Sequence, residues 1–331
     1  MAAEKITSAR NTRIKELIQL QSKSRERRER ALFVVEGQRE LSRAIEAGFM
    51  PQSIFHCPAY LEGAVFPEFT GEVDIFEVSE NLYDKIAYRG GTEGVIALMR
   101  MESLLPDKIT LSGNPFVIVV ESIEKPGNLG AILRTADACG ADCVLVCDPL
   151  ADIFNPNVIR ASTGACFSVK SACCTSEEAF RWLKMNNISI LTTQLQNSSL
   201  YYDADMRGAV AIVFGREDMG LSDFWKDRSD AKIRIPMAGI CDSLNVSVSA
   251  AVICFEVLRQ RKKISQPTKS YTNENINYYR RKRSGRAVGC LYLTDYFCSS
   301  NSYFGTSSFP YKTQGKDIKG EDITTTQGQG G

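Results

Sequence analysis

The stretch FVIVVESIEKPGNLGAILRTADACGADCVLVC, residues 116–147, reads as strand, turn, helix and strand. The run 116–122 is apolar and rich in Val and Ile, the pattern of a strand buried on both faces. Pro126-Gly127 interrupts it, an apolar-patterned helix follows over 129–139, and a second apolar run covers 142–147. Two strands joined by a helix make the repeating unit of a parallel sheet. The unit recurs downstream. Strands are predicted at 168–173, 188–193, 209–214 and 232–236, with helices at 156–166, 176–186, 222–226 and 246–261. This alternation predicts an α/β fold with a mainly parallel sheet covered on both faces.

Upstream, a second and smaller α/β pattern ends near Glu102. Residues 8–30 are predicted as one polar helix rich in basic side chains. A buried strand follows at 31–37, then a helix at 40–47 that stops at Gly48. Further strands are predicted at 53–56, 73–78 and 94–99, with a short helix at 80–86. Pro106, Gly113, Asn114 and Pro115 mark 103–115 as a linker. After Lys263 the pattern breaks. Residues 264–331 are rich in Ser, Thr, Asn, Gly and Gln and read as a disordered tail, with some local structure expected at 291–297.

Composition narrows the chemistry. The chain has 331 residues, long enough for two domains. No apolar run reaches the length of a membrane span, and the start lacks a secretory signal, so a cytoplasmic protein is expected. The eleven cysteines include no Cys-x-x-Cys pair, and there is one histidine, His56, which lies in a predicted strand. Free thiols and no metal site are therefore expected. Any Ser-His-Asp or Cys-His mechanism would have to use His56, whose expected role is structural. Catalysis is left to Arg, Lys, Asp, Glu, Asn or Ser. The net charge of +1 hides a basic cluster from Arg10 to Arg30 and a second block at Arg280-Arg281-Lys282-Arg283. Such clusters suit phosphates or a solvated helix face.

Three segments carry candidate chemistry, each where a strand hands over to a helix. That is where open α/β sheets bind ligands. In the first, Asn128 suits a helix N-cap. Arg134 interrupts a stretch otherwise fit for burial, and needs an anionic partner or an exposed face. In the second, Glu217 lies in a turn bounded by Gly215 and Gly220. In the third, Ser243 and Asn245 both suit caps, and the apolar, glycine-containing loop 237–242 has room for an adenine or a methyl donor. No Gly-x-Gly-x-x-Gly fingerprint follows a strand, which argues against a nucleotide-dependent oxidoreductase.

In order and spacing these segments resemble the three signature motifs of the SpoU (TrmH-type) family of RNA ribose 2′-O-methyltransferases, in the SPOUT superfamily. Asn128, Gly130 and Arg134 match Asn-x-Gly-x-x-x-Arg. Gly215, Glu217 and Gly220 match Gly-x-Glu-x-x-Gly, and residues 243–247 match Ser-Leu-Asn-Val-Ser. Residues 31–100 also resemble the family's ribosomal-protein-like substrate-binding domain. The resemblance implies an RNA substrate-binding domain over 1–102 and, over 116–263, a methyltransferase domain with a C-terminal trefoil knot. It implies S-adenosylmethionine as cofactor, held near Gly215, Ile235, Met237, Leu244 and Asn245. It implies a homodimer whose active site draws on both subunits. It also implies RNA as substrate, with rRNA favoured over tRNA. The catalytic set it implies is Arg134, Asn128, Glu217, Ser243 and Asn245.

Family proposals make Arg134 the base that deprotonates the ribose hydroxyl. Physics opposes this, because removing an arginine's proton near pH 7 costs roughly 8 kcal/mol. A charged Arg134 that fixes a phosphate or stabilises the forming alkoxide is the alternative. A non-catalytic RNA-binding protein on the same scaffold, and an antibiotic-resistance rRNA methyltransferase, are competing readings. The tail after Lys263 departs from the family pattern.

Overall fold

The computed structural model describes residues 4–61, 72–88, 93–101 and 104–262. Strands β1 (Glu4–Ile6), β2 (Leu32–Glu36), β3 (Pro51–His56), β4 (Asp74–Val78) and β5 (Val95–Arg100) form one sheet in the order β1-β4-β3-β5-β2. Within it β3 runs parallel to β4, whereas β5 is antiparallel to both β3 and β2. Helices α1 (Thr12–Ser22), α2 (Ser24–Arg30), α3 (Gln38–Glu46) and α4 (Glu80–Ile86) accompany it.

The single helix expected over 8–30 is two. Lys23 adopts an extended backbone between α1 and α2. Ile14, Leu17 and Leu20 recur on one side of α1 and are fully buried, so this basic segment is anchored by a narrow apolar stripe. Much of its charge is also internally matched. Arg13 pairs with Asp74, Arg25 with Glu29, and Arg30 with Glu16 and Glu26.

The second sheet contains β6 (Phe116–Glu121), β7 (Cys143–Cys147), β8 (Ser171–Cys174), β9 (Ser189–Thr193), β10 (Ser199–Leu200), β11 (Val210–Phe214) and β12 (Ala231–Arg234). Their order is β10-β12-β9-β11-β6-β7-β8, and every pairing is parallel. From β6 the chain builds outward to β8, then returns to the other side through β9 and β11. The direction therefore switches beside β6 and β11, and the crevice at their carboxyl ends is the expected ligand position. Helices α5 (Pro126–Cys139), α6 (Pro156–Ser162), α7 (Ala165–Ser168), α8 (Ser176–Met185), α9 (Asp223–Arg228) and α10 (Val246–Arg261) connect the strands.

The expected helix 156–166 breaks where Thr163 and Gly164 take left-handed backbone angles, φ 53° and 83°. Ser168 then closes α7, so the next strand starts at Ser171 rather than 168. β1 and β10 were not expected, having three and two residues and no apolar run. The expectations for 264–331, and the basic block 280–283, lie outside the described residues.

Apolar packing joins the two sheets. Phe33 of β2 stacks on Phe154 at 4.3 Å between centroids, with Phe49 and Phe167 packed around them. Beside this cluster Arg27, buried in α2, meets Asp152 at 2.6 Å and donates to the Leu20 carbonyl at 2.6 Å. The nine described cysteines are free thiols, and burial pushes Cys143 and Cys166 up to about 12. His56 sits in β3, where burial lowers its pKa against a smaller opposing pull from Glu77.

Candidate active site

The first segment starts from the carboxyl end of β6. Ser122 turns the chain with a left-handed φ of 51°, and α5 begins at Pro126, whose missing N–H is harmless in a first turn. The N-cap is Lys125, not Asn128, so the cap reading of Asn128 is wrong: proline starts the helix three residues early. Asn128 lies inside the first turn. Its Oδ1 accepts from Asn245 Nδ2 at 3.3 Å, and its own Nδ2 is buried with no hydrogen-bond partner among the described residues. Orphaned buried donors are rare.

Gly130 has a packing reason. A Cβ there would lie 2.7 Å from the Val158 carbonyl oxygen and 2.6 Å from the Ala161 Cβ, so α5 and α6 cross at glycine distance. One turn later Arg134 is exposed, and no described residue forms a hydrogen bond or ion pair with it. Of the two options for this arginine, the fold supplies the exposed face.

The second segment follows β11. Arg216 and Gly220 exchange backbone hydrogen bonds at 3.0 and 3.1 Å and close a tight hairpin, with Gly220 at φ 69°. A Cβ on Gly215 would lie 2.5 Å from the Gly220 carbonyl oxygen, so glycine is needed where the loop folds back on itself. At the tip Arg216 grips Asp218 with two bonds, at 3.0 and 2.9 Å, and holds that carboxylate below its usual range. Glu217 faces the other way and accepts a short hydrogen bond from Lys125, which raises the lysine's pKa.

The third segment leaves β12. Asn245 is the N-cap of α10, its Oδ1 accepting from the Ser247 amide at 2.9 Å. Ser243 is not a cap; its hydroxyl donates to Asp242 at 3.2 Å. Both are exposed.

The second and third segments meet at one cavity of about 400 Å³. Gly215, Glu217, Ile235, Met237, Ser243 and Leu244 all line it. Asn245 adjoins through Leu244 and reaches Asn128, while Asn128 and Arg134 are outside the wall. Sequence reasoning missed Thr193 at the end of β9, Gln194 and Leu195 just after it, and Lys226, whereas Asp242 belongs to the loop 237–242 already singled out. The signal was there: β9 ends at the same edge of the sheet as β11 and β12.

The cavity is the size of a small cofactor. Phe214, Ile235, Leu244 and Ile253 give apolar wall for a base, and its charged lining is mixed, with Glu217, Asp218 and Asp242 set against Arg216, Lys226 and Arg234. Among the described residues no cluster of three His, Cys, Asp or Glu forms a metal site.

The sequence profile of the SpoU rRNA Methylase family matches residues 115–255, and that of the MRM3-like substrate binding domain matches 11–97. The chain is 35% identical over 175 residues to the 23S rRNA (guanosine-2′-O-)-methyltransferase RlmB of Escherichia coli K12, covering 51% of this chain and 72% of that one. A crystal structure of an RNA 2′-O ribose methyltransferase superposes with TM-score 0.66 at 39% identity, covering 78% of this chain and 99% of that one. The AdoMet-bound rRNA methyltransferase of Sinorhizobium meliloti gives TM-score 0.70 at 25% identity, covering 79% and 99%.

Proposed function

The chain belongs to the SpoU rRNA methylase family, and from that membership we propose that it transfers a methyl group from S-adenosylmethionine to a ribose 2′-hydroxyl of ribosomal RNA. The observation that carries this reading is the shared cavity, into which the second and third motif segments both turn their residues. S-adenosylmethionine supplies an activated methyl group on a sulfonium. Gly215 gives it close access to backbone, Ile235, Met237 and Leu244 hold its apolar parts, and Asp242 in the wall offers a carboxylate to its positive charge.

In this reading the Arg134 guanidinium grips the RNA phosphate or the developing alkoxide. Its exposure, with no carboxylate partner among the described residues, leaves it free to reach an external anion. Asn128 and Asn245, joined across the start of α5 and α10, orient the ribose. Ser243 and Glu217 order the two loops.

The same reading takes the protein as a homodimer. Arg134 lies outside the cavity wall of its own chain, so a second copy is the natural source of it. Val248 and Phe255, seven residues apart on α10, are exposed, with half-buried Ala251 and Val252 between them. That apolar side is offered to the second copy. A trefoil knot belongs here too, on the strength of the family membership alone. Among the described residues no helix is long and apolar enough to cross a membrane; a cytoplasmic site, where rRNA is found, completes the proposal.

The test is incubation with labelled S-adenosylmethionine and total RNA, followed by mapping of ribose methylation at nucleotide resolution. Methyl transfer to one rRNA nucleotide is expected. Transfer to tRNA alone would correct the substrate, and binding of RNA without any transfer would leave an RNA-binding protein.

A further inference from the structure

Glu121 is buried at the carboxyl end of β6 and belongs to none of the three motifs. A buried carboxylate must have its oxygens satisfied. Its Oε2 accepts the Ser222 backbone N–H at 2.8 Å, and its Oε1 accepts the Ser222 hydroxyl at 2.5 Å. Ser176 Oγ lies 3.4 Å from Oε1, but its single proton goes to Asp148 Oδ2 at 2.6 Å, while Trp225 Nε1 donates to that same Oγ at 3.0 Å. Both strong bonds to Glu121 thus come from one residue, and among the described residues no basic side chain pairs with it.

Ser222 is the N-cap of α9, where a serine ordinarily turns its hydroxyl onto the first amides of its own helix. Here it makes no capping bond. The hydroxyl points back to Glu121 instead, and Ser222 is where the hairpin loop 215–220 leaves the cavity wall. The entry to that loop is set by β11, and Gly215 is pressed onto Gly220. The apex is held through Glu217 by Lys125, only four residues after Glu121. One short segment, 121–125, therefore grips the loop at its exit and at its tip.

We infer that Glu121 is a positioning residue for the cofactor: by pinning Ser222 it holds the loop 215–220 in place as a wall of the S-adenosylmethionine cavity. The inference rests on the reading of that cavity given above.

The test uses the full chain with Glu121→Ala, Glu121→Gln and Ser222→Ala. S-adenosylmethionine affinity is measured by calorimetry, and amide hydrogen exchange over 216–222 is followed without cofactor. Losing both bonds in Glu121→Ala should weaken cofactor binding about tenfold and speed loop exchange, with the KM for RNA unchanged. Glutamine keeps an acceptor for the Ser222 N–H and can donate to its hydroxyl, so Glu121→Gln should stay within about threefold of wild type. A folded Glu121→Ala protein with wild-type affinity and wild-type exchange overturns the inference. If that variant does not fold, Ser222→Ala decides: faster loop exchange supports the inference, and unchanged exchange with unchanged affinity overturns it. Wild-type protein that fails to bind S-adenosylmethionine would defeat the methyltransferase reading, while the exchange comparison would still judge the role of Glu121 in holding the loop.

Discussion

Arg27 in α2 and Arg134 in α5 are both helical arginines, and the fold treats them in opposite ways. Arg27 is 1% exposed, with Asp152 at 2.6 Å and two backbone carbonyls around its guanidinium. Arg134 is exposed, and nothing among the described residues answers its charge. A charge whose partner is built into the chain is explained by the architecture. A charge with no partner among the described residues is free to meet an anion from outside, which under the proposed function is an RNA phosphate or a ribose oxygen.

The sharpest way to break this contrast is to remove Arg27. Arg27→Met leaves Asp152 without its cation in a nearly closed site, and should cost about 3–5 kcal/mol in urea denaturation. Replacing both partners with apolar residues should recover most of that loss, because the penalty belongs to the stranded charge. The surviving folded fraction should methylate RNA at the wild-type rate. A rate that falls with Arg27 would mean that the seam between the sheets takes part in catalysis.

Arg134→Ala should do the reverse. Stability should not change, and kcat should fall about 10²–10³-fold, as when a donor to a developing oxyanion is removed. Arg134→Lys keeps the charge but loses the bidentate fork. Near wild-type turnover in the lysine variant would remove both the base role and the phosphate-clamp role.

Between these extremes lies Asn245, which has a structural and a chemical duty at once. It caps α10 and touches Asn128. Asn245→Ala should lose about 1 kcal/mol of stability, the usual value of a cap. Asn245→Asp keeps the cap acceptor and loses the donor to Asn128. If activity falls in the aspartate variant while stability holds, the link across the two helix starts matters to the reaction separately from the cap.

The contrast also marks how far sequence alone reaches. The parallel sheet was legible because 116–122, 142–147 and 209–214 are apolar runs at β/α spacing, and they are strands within one residue at either end. Asn128 was misread as a cap because Pro126 can open a helix without a side-chain cap, which moves every position in the first turn. The break at Thr163 and Gly164 was missed although Gly164 offered a breaker signal, because the first left-handed angle falls on Thr163, a residue other than glycine. Gln194 and Lys226 were missed as cavity residues, since only tertiary packing brings the end of β9 and the helix α9 to the motif loops. The pairing of Arg27 with Asp152 spans 125 positions, and no local pattern announces it.

The smallest expected effect tests the basic segment itself. Read as sequence, its cluster of positive charge suits RNA. Folded, Arg13, Arg25, Arg27 and Arg30 are already matched by carboxylates. Arg10, Lys15, Lys23 and Arg28 are exposed, and no ion pair among the described residues holds them. Only unmatched cations release counterions in full when they meet phosphate, so the two groups should separate in a salt titration. Lys15→Ala with Lys23→Ala should reduce the slope of log K against log salt by about 1.4 for single-stranded RNA, at about 0.7 per contact. Arg25→Ala should change the slope less, because the Glu29 carboxylate already competes for its guanidinium. Equal slopes for wild type and the double lysine variant would place the RNA path elsewhere and leave α1 and α2 as packing elements whose charges face water.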